Sequence, residues 1–579
     1  MVSRDEVIAW IESDVDEGAK AELSGLLALA SPAAQAELAD RFAARLQFGT
    51  AGLRGVMAAG PNRMNRAVVI QAARALIDFL HRQKCPARVV IGNDARYHSR
   101  QFALDTAAVV TAAGGEAWLL PDRVPTPILA YAVREMSADA GVMVTASHNP
   151  AADNGYKVYL GGSLVPEAAQ GVQIVPPADA QIAAQIEAVL PANQIPRKAG
   201  WREVGPELIE TYLHAITTLS HPGQPGSIDP GAAEPPAADL RAEPPNPPIR
   251  IVYTAMHGVG GTIALQALAR AGFADVVVVE SQFTPNPDFP TVAFPNPEEP
   301  GAIDRAVDLA RQCDADVVIA NDPDADRCAV AIPDPRQGWR ILHGDELGSI
   351  LAEQVAASDR GGALANSIVS SRQLAAIAAH HHRPYVQTLT GFKWLARVPD
   401  LAMAYEEAIG YCVRPDVVRD KDGLATAVAV ARLVASLTAN GQTIVDLLDD
   451  LARRHGLYLT SQLSLRVSDL AEIGTMMAAL RQTPPGELGG CPVTQVIDLS
   501  EGQDGLPPTD GLVLHTAAKD RVVIRPSGTE PKLKCYFEVI TEVNPDASFD
   551  DLTALRHRAE DRLAQLASEM KTVLDHGTL

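Results

Sequence analysis

The chain has 579 residues, of which 47% are hydrophobic and 21% charged, and its formal net charge is −22. This length exceeds what one hydrophobic core can organise and predicts roughly three to five domains. The negative charge argues against a surface for nucleic acid or an anionic membrane. Six cysteines are scattered singly without a C-x-x-C pair, which favours a reducing compartment over a zinc or disulfide framework. No apolar run reaches transmembrane length and the N-terminus shows no signal core, so we expect a cytoplasmic protein.

Strands and helices alternate in the first part of the chain. Hydrophobic periodicity predicts helices over residues 33–46 and 66–83, and strands at 89–92, at 115–120 and ending at Val144. Such alternation is typical of a mostly parallel sheet with helices on both faces.

Two loops in this part carry arginines. Phe48-Gly49-Thr50-Ala51-Gly52-Leu53-Arg54-Gly55 is rich in glycine, but it lacks the spacing and terminal lysine of a Walker loop, so a nucleotide is not implied. Asp94-Ala95-Arg96 follows the strand at 89–92 and is interpreted either as a local ion pair or as part of a site.

Ser147 lies directly after the strand that ends at Val144, in Thr145-Ala146-Ser147-His148-Asn149-Pro150. A hydroxyl on a loop at the end of a strand is well placed for covalent chemistry. The plainer interpretation is a serine that caps a helix or satisfies turn amides. Lys157 follows shortly after and is interpreted either as a ligand for an oxyanion or as a solvated charge.

A second α/β unit is predicted from strands at 249–253, 275–280 and 315–320. It follows a helix at 206–219 and a Pro/Ala/Gly-rich stretch at 222–248, which we interpret as a disordered loop or linker.

The last predicted strand of this second unit is followed directly by Asn321-Asp322-Pro323-Asp324-Ala325-Asp326-Arg327. Three alternating carboxylates in a constrained loop suit a hard cation such as Mg²⁺. The residues argue against a calcium EF-hand, because Arg327 stands where that loop needs glycine and Pro333 where it needs glutamate.

A third unit runs from about Trp339 to about Gly456, with a strand at 363–369 and helices at 344–355 and 423–437. Two of its loops, Thr390-Gly391-Phe392-Lys393 and Glu406-Glu407-Ala408-Ile409-Gly410, carry a lysine and paired carboxylates that could hold ligand hydroxyls. His380-His381-His382 is predicted to lie on the surface, because consecutive histidines do not converge on one ion.

The last unit begins near Leu457, with strands at 463–467 and 522–525 and a long helix from Ser548. Arg525-Pro526-Ser527-Gly528-Thr529 follows the second strand. Hydroxyls, close backbone amides and an arginine fork fit a phosphate dianion, and an ordinary Pro/Gly turn is the alternative.

Four of these motifs, in this order, resemble the α-D-phosphohexomutase superfamily (phosphoglucomutase/phosphomannomutase): the loop at 145–150, the loop at 322–327, the loop around Glu407 and the loop at 525–529. The segments 48–55, 153–159 and 406–411 look most like its phosphoglucomutase-2/phosphopentomutase-like branch.

The resemblance implies an α/β fold of four domains around a central cleft, the first three with related mixed α/β sheet cores and the last a smaller α+β domain. We place these domains at residues 1–205 (phosphoserine loop), 206–332 (magnesium loop, with the insertion at about 222–248), 333–456 (sugar-recognition loop) and 457–579 (phosphate-binding loop).

The resemblance also implies roles for individual residues. Ser147 would be phosphorylated, and Mg²⁺ would be held by Asp322, Asp324, Asp326 and the Ser147 phosphate. Arg54 and Lys157 match positions that assist proton transfer or stabilise charge, and His148 stands with them as a catalytic candidate. The implied substrate contacts are Arg327, Lys393, Glu406, Glu407, Arg525, Ser527, Gly528 and Thr529.

The implied activity is that of a phosphosugar mutase, which converts a sugar 1-phosphate to the 6-phosphate through a phosphoserine and a bisphosphorylated sugar. Glucose is the first choice, with glucose 1,6-bisphosphate as activator or intermediate. Phosphomannomutase and phosphopentomutase are alternatives, and a metal-dependent sugar phosphatase or a sugar-phosphate sensor are remoter ones. The partner is a small phosphosugar, with no nucleic acid and no membrane.

The third loop departs from the common superfamily pattern Gly-Glu-x-Ser-Gly-His. Glu406 replaces the first glycine, Ile409 the serine and Tyr411 the histidine. These changes remove one hydroxyl and one imidazole that could act in proton transfer, and so leave the preferred sugar open.

Overall fold

The computed structural model describes residues 2–29, 31–218, 248–467, 470–503, 505–527 and 532–576. The chain forms two compact units. The first comprises Met1–Pro333, Phe392–Met403 and Gly410–Ala439, and the second Asp334–Gly391, Ala404–Ile409 and Asn440–Leu579. Of the predicted features, the insertion at 222–248 (except Pro248) and the pair Gly528 and Thr529 lie outside the described residues.

Three helices open the chain, and from β1 to residue 334 helices and strands are interspersed, as the sequence predicts. The helices are α1 (Arg4–Ser13), α2 (Glu17–Leu29), α3 (Pro32–Arg41), α4 (Arg66–Arg82), α5 (Ser99–Ala112), α6 (Thr126–Glu135), α7 (Ala178–Ala188), α8 (Glu207–Thr217), α9 (Gly261–Arg270), α10 (Glu280–Phe283) and α11 (Asp304–Gln312). The strands are β1 (Leu53–Val56), β2 (Arg88–Asn93), β3 (Glu116–Leu119), β4 (Ala140–Val144), β5 (Asp153–Leu160), β6 (Val172–Gln173), β7 (Arg202–Glu203), β8 (Ile251–Thr254), β9 (Val276–Val278), β10 (Val317–Asn321) and β11 (Cys328–Asp334).

The remaining elements continue in the same chain order. The helices are α12 (Gly344–Ala357), α13 (Gln373–His380), α14 (Phe392–Leu395), α15 (Gly423–Ala439), α16 (Ile444–His455), α17 (Leu470–Gln482) and α18 (Phe549–His576). The strands are β12 (Gly338–Ile341), β13 (Ala363–Ser367), β14 (Tyr385–Thr388), β15 (Leu401–Glu406), β16 (Gly410–Cys412), β17 (Leu457–Arg466), β18 (Glu487–Leu488), β19 (Cys491–Asp498), β20 (Leu512–Thr516), β21 (Arg521–Pro526) and β22 (Lys532–Thr541).

One predicted helix is shorter than its pattern suggests. The helix predicted over residues 33–46 ends at Arg41. Ser31 caps its start by accepting a hydrogen bond from the Ala34 amide at 3.2 Å, as serine does at helix N-termini. Beyond its end, the Leu46 amide donates to the Pro61 carbonyl at 2.8 Å. A tertiary hydrogen bond therefore replaces the helical one that the periodicity predicted.

The first sheet of the first unit is mixed, with strand order β1-β5-β4-β2-β3-β7 and β6 paired with β5. Strands β4, β2, β3 and β7 run parallel, whereas β1 and β6 run antiparallel to β5, and β5 to β4. Alternate strand residues face opposite sides. Val142 of β4 thus joins the core formed with α4 and α5, while Gly141 faces Leu129 and Val133 of α6. Helices therefore cover both faces, as predicted.

The aspartate loop connects two neighbouring strands of a second sheet in the same unit. Strands β9, β8 and β10 are parallel neighbours, and β11 returns antiparallel to β10 with Asn321 opposite Cys328. The six residues 322–327 therefore form a tight hairpin connection between two buried strands. This connection leaves the aspartates at the end of β10, as the sequence pattern suggested.

The second unit contains a six-stranded antiparallel sheet, β17-β22-β21-β20-β19-β18. A hydrophobic core of α17 and α18 residues covers it. Strands β13 and β14 of this unit pair in parallel. The predicted α/β class is confirmed.

Three smaller predictions concern the cysteines, the histidine run and membrane-spanning helices, each within the described residues. All six cysteines are free thiols. His380 and His382 are exposed as predicted, but the prediction was wrong for His381, whose side chain is 18% exposed because it pairs with Glu353 at 3.1 Å. No single helix is long and apolar enough to cross a membrane, although α15 and α16 taken as a bent pair meet the criteria of length and composition.

Candidate active site

Ser147 lies in the first unit on the loop that connects β4 to β5. Its backbone has a φ of +50°, a left-handed conformation that is costly for a residue with a side chain and is typical of functional sites. The hydroxyl donates to Asp322 Oδ2 at 2.7 Å and lies 3.1 Å from His148 Nδ1. The Ser147 side chain is thus directed at the aspartate loop rather than used as an ordinary turn cap.

The three aspartates of the β10–β11 connection converge. Asp322, Asp324 and Asp326 are buried and present carboxylate oxygens that lie within 4.8 Å of one another, and they form the one such group of metal-ligand type among the described residues. Asp324 Oδ1 and Asp326 Oδ1 are buried without a hydrogen-bond partner in the described chain. Buried carboxylates require a cation or a proton. The donor set therefore fits a hard divalent cation.

The pKa shifts of these aspartates also show that the cluster needs a cation or a proton to balance its negative charge. Burial and the charges of Asp324 and Asp326 raise the pKa of Asp322 well above its ordinary value. Burial also opposes ionisation of Asp326, but the ammonium groups of Lys157 and Lys421 outweigh it and hold the pKa of Asp326 below its usual range. The two lysines thus compensate part of the negative charge, and the charged form of Asp322 is the one that burial and its neighbours disfavour.

Lys157, on β5, is one of those counter-charges. Its ammonium lies 2.7 Å from Asp324 Oδ2 and 3.0 Å from Asp326 Oδ2, and the side chain is 6% exposed. The interpretation as a solvated charge is therefore excluded. Thr126, at the start of α6, donates to the same Asp324 oxygen at 2.6 Å.

Arg54 contacts the serine loop, and His148 contacts the serine itself. Arg54, on β1, donates from Nη1 to Asn149 Oδ1 at 3.1 Å, while its buried Nε has no partner among the described residues. Burial and the charges of Arg327 and Arg54 lower the pKa of His148 well below its ordinary value. His148 is therefore neutral at neutral pH, and its imidazole can accept or donate a proton beside the Ser147 hydroxyl.

Two further predicted residues of this unit have defined surroundings. The Arg327 guanidinium lies 3.7 Å from Glu298 and 3.9 Å from Asp326. Lys393, on α14, donates to the Thr50 hydroxyl of the glycine-rich loop. Arg327 thus borders the aspartate cluster, and Lys393 joins the segment that carries Arg54.

Lys421 was missed by the sequence reasoning. Its ammonium lies 3.2 Å from Asp326 Oδ2 and 5.3 Å from the centre of the Phe392 ring. It precedes α15, where Gly423 packs so closely that a Cβ would lie 2.2 Å from the Arg327 carbonyl oxygen. The only local signal is the Asp-Lys-Asp-Gly run before an apolar helix, and such a run indicates a helix start rather than a site.

The second unit holds the paired glutamates. Glu406 ends strand β15, so its predicted loop position was wrong, and its carboxylate accepts from the Gly391 amide at 2.6 Å. Glu407 accepts from the hydroxyls of Ser367 and Ser370 at 3.2 and 3.0 Å. Two short serine side chains therefore fix the Glu407 carboxylate.

Arg525 and Ser527 lie at the end of β21 in the same unit. The Ser527 amide donates to the Lys532 carbonyl at 2.8 Å, which continues the pairing of β21 with β22 by one residue. Burial raises the pKa of Tyr536, the charge of Glu407 raises it further, and Arg525 opposes both effects. The charges of Arg525 and Glu407 therefore both affect the pKa of the buried Tyr536.

The aspartate loop packs directly against Gly258 and leaves no room for a side chain there. A Cβ on this residue would lie 2.3 Å from Pro323 Cα and 2.4 Å from its carbonyl oxygen. We expect Gly258→Ala to displace the loop and to reduce catalytic turnover about 10²-fold, because small misplacements of reacting groups have effects of this size. Gly25→Ala is the matched control, since no atom lies within 4 Å of its added Cβ. Equal turnover in the two variants would contradict the expectation.

The site and the fold together define a class of enzyme. The sequence matches the phosphoglucomutase/phosphomannomutase family over four domains: α/β/α domain I at residues 45–191, domain II at 234–337, domain III at 343–455 and the C-terminal domain at 466–544. The chain therefore belongs to this family of sugar phosphomutases. The predicted superfamily, the four-domain α/β fold and the assignment as an intramolecular phosphotransferase are confirmed.

Individual relatives differ in the sugar that their names give. A Haemophilus influenzae protein named "Probable phosphomannomutase" is 44% identical, over 82% of this chain and 93% of its own length. The phosphoribomutase of Saccharomyces cerevisiae is 33% identical, over 94% of both chains. A phosphoglucomutase/phosphomannomutase family protein from Burkholderia thailandensis has the same fold, with a TM-score of 0.65 at 19% identity over 92% of this chain and 98% of its own.

Proposed function

We propose that this chain interconverts the 1-phosphate and 6-phosphate of an aldohexose, glucose first, with Ser147 as the phosphoryl carrier. The observation that supports this most directly is the Ser147 hydroxyl, held 2.7 Å from Asp322 at the edge of a buried carboxylate cluster. A serine placed beside a cation site and two lysines can hold a phosphate dianion in that position.

The proposed reaction consists of two transfers. In the first, the bond between phosphorus and Ser147 Oγ breaks and a bond to a sugar hydroxyl oxygen forms, while the hydroxyl proton leaves to a base of the site. The product is a sugar bisphosphate. In the second, its other phosphoryl group returns to Ser147 and a proton restores the sugar hydroxyl. The sugar phosphate is isomerised, and the phosphoserine is regenerated.

The proposed metal is Mg²⁺, held by Asp322, Asp324, Asp326 and an oxygen of the Ser147 phosphate. When bound, it supplies Lewis-acid stabilisation of the charge on the transferring group. Lys157 and Arg54 would stabilise charge on the phosphoryl oxygens, because Lys157 is buried against Asp324 and Asp326 and Arg54 contacts Asn149 of the serine loop. His148, neutral and 3.1 Å from the serine hydroxyl, is a candidate for proton transfer.

The substrate-binding residues are proposed as follows. Glu407 would accept hydrogen bonds from sugar hydroxyls, since Ser367 and Ser370 hold its carboxylate in one orientation. Arg525, with Ser527, Gly528 and Thr529, would bind the phosphate that is not being transferred, and this binding energy would position the sugar. Arg327, Lys393 and Glu406 are further proposed contacts.

A pentose phosphate is the second candidate substrate. The third loop lacks the serine and the histidine of the common superfamily pattern, and Tyr411, which replaces the histidine, is 1% exposed. In addition, the yeast relative of nearly equal length is named a phosphoribomutase. Mannose 1-phosphate is a third candidate, by the name of the Haemophilus relative.

The test is a comparison of kcat/KM on glucose, mannose, ribose and deoxyribose 1-phosphates, each with Mg²⁺ and a trace of the matching bisphosphate. We expect isomerisation of at least one substrate, with glucose 1-phosphate preferred by about tenfold or more. A preference for ribose 1-phosphate would replace the hexose assignment and leave the phosphoserine mechanism in place. Release of inorganic phosphate at the rate of substrate loss would instead identify a phosphatase, and binding without turnover would identify a sensor.

A further inference from the structure

In the first unit, the guanidinium of Arg96 packs against the loop that carries Ser147. Arg96 follows β2, and its side chain is 1% exposed. Its two terminal nitrogens donate four hydrogen bonds, all to backbone carbonyl oxygens. Three go to the loop that joins β4 to β5, at Ser147 (2.7 Å), Asn149 (2.5 Å) and Pro150 (2.7 Å), and the fourth goes to Asp153 (3.0 Å) at the start of β5. One side chain thereby fixes both ends of the loop that carries the proposed phosphoryl carrier.

This pattern of contacts suits arginine and no other side chain. The two terminal nitrogens of a guanidinium carry four N–H groups in a plane, and here each can meet one carbonyl. A lysine has three donors at a single point and cannot reach carbonyls on both sides of the loop. The contacts therefore depend on the shape of the guanidinium as well as on its charge.

Two neighbours hold Arg96 in this position. The carboxylate of Asp94 accepts from the Arg96 amide at 2.9 Å and from the Ser99 hydroxyl at 2.6 Å, and its second oxygen lies 3.4 Å from Arg96 Nε. The ring of Phe289 lies 5.0 Å from the guanidinium carbon, within the range of a cation–π contact. Asp94 therefore balances the charge of Arg96, and Phe289 covers it.

The backbone at Ser147 explains why the loop needs such a support. With a φ of +50°, Ser147 occupies a conformation that it would leave if the loop were free to relax. The Ser147 carbonyl, which Arg96 Nη2 binds, belongs to the same residue whose hydroxyl contacts Asp322. Loss of this hydrogen bond would let the hydroxyl turn away from the carboxylate cluster.

We propose that Arg96 is a positioning residue for phosphoryl transfer, and that it holds the Ser147 oxygen beside the aspartate cluster by fixing the carbonyls of residues 147–153. This inference rests on the proposed function of Ser147. The terminal nitrogens of Arg96 donate to four backbone carbonyls, so Arg96 acts on the backbone rather than on a ligand. It should therefore govern the rate of transfer and leave substrate affinity unchanged.

The test compares Arg96→Lys, which keeps the charge, with Arg74→Lys as a matched control. Arg74 lies on α4 and pairs with Asp78 at 2.9 Å, with a side chain that is 35% exposed. We expect Arg96→Lys to lower kcat about 100-fold, as a misplaced nucleophile does, while KM for the sugar phosphate stays within about threefold. Amide hydrogen exchange in the peptide 145–153 should become faster in Arg96→Lys and stay at the wild-type rate in Arg74→Lys.

A second, milder variant keeps the proposal testable if Arg96→Lys fails to fold. Phe289→Leu leaves all four donors in place, and we expect it to reduce kcat by less than Arg96→Lys does, with slightly faster exchange in the same peptide. Wild-type kcat and exchange in Arg96→Lys would overturn the proposal, as would a rise in KM at constant kcat. If the wild type isomerises no sugar phosphate, the proposed function fails, whereas the exchange comparison still decides whether Arg96 fixes the loop.

Discussion

Replacing Ser147 with alanine is expected to lower kcat for sugar-phosphate isomerisation by at least about 10⁴-fold, the size of effect seen when a catalytic nucleophile is removed. The reason is that the hydroxyl directed at Asp322 is the proposed acceptor and donor of the phosphoryl group. The measurement is a steady-state assay with a trace of the sugar bisphosphate, followed by intact-mass spectrometry of the enzyme. The wild type should gain one phosphoryl group after incubation with glucose 1,6-bisphosphate, and Ser147→Ala should gain none.

Ser349→Ala is the matched control for this prediction. Ser349 is fully buried on α12 in the second unit and is not part of the loop that carries Ser147. We expect its removal to leave turnover and phosphorylation close to those of the wild type. Unchanged turnover in Ser147→Ala would show that the phosphoryl group travels by another route and would exclude the phosphoserine mechanism.

The second large effect is expected for Asp324→Asn. Asp324 offers one carboxylate oxygen that has no partner in the described chain, while its other oxygen accepts from Thr126 and Lys157. The amide keeps the volume but removes the charge that a hard cation needs. We expect Mg²⁺ binding, measured by calorimetry, to weaken about 100-fold or more and kcat to fall about 10³-fold.

Asp308→Asn serves as the control for a lost carboxylate. Asp308 lies on α11 with a side chain that is 63% exposed, and it pairs only one helical turn away with Arg311. Surface pairs of this kind contribute little to stability, so Mg²⁺ affinity and turnover should match the wild type. Wild-type Mg²⁺ affinity in Asp324→Asn would place the cation elsewhere.

Local patterns were sufficient to predict the two central loops. Ser147 and Asp322 each follow a short apolar strand directly, and a polar turn after a buried strand is visible in the sequence as an abrupt change of residue type. Some strand bounds agree closely for the same reason: β2 spans Arg88–Asn93, where the pattern predicts residues 89–92. The strand predicted at 463–467 begins earlier, because β17 spans Leu457–Arg466. Hydrophobic alternation is a local property, and the sheets preserve it.

Element ends were less predictable where tertiary contacts compete with local preference. The helical pattern continues to residue 46, but α3 ends at Arg41, and the Leu46 amide bonds to Pro61 instead. Glu406 reads as a loop residue beside Glu407, yet it completes β15. In both cases the deciding partner lies outside the local window.

By itself, the sequence determined the α/β class, the order of the motifs and the residue types of the chemistry: a serine, three aspartates, a lysine and an arginine. Only the tertiary structure decided which of them meet. The Ser147 hydroxyl and Asp322 are 175 positions apart in the chain and 2.7 Å apart in space. The contact of Lys421 with Asp326 and that of Arg96 with the Ser147 carbonyl also join residues that are far apart in the chain. Periodicity and turn chemistry report on neighbours in the chain, whereas burial brings distant charges together in a medium where each must find a counter-charge.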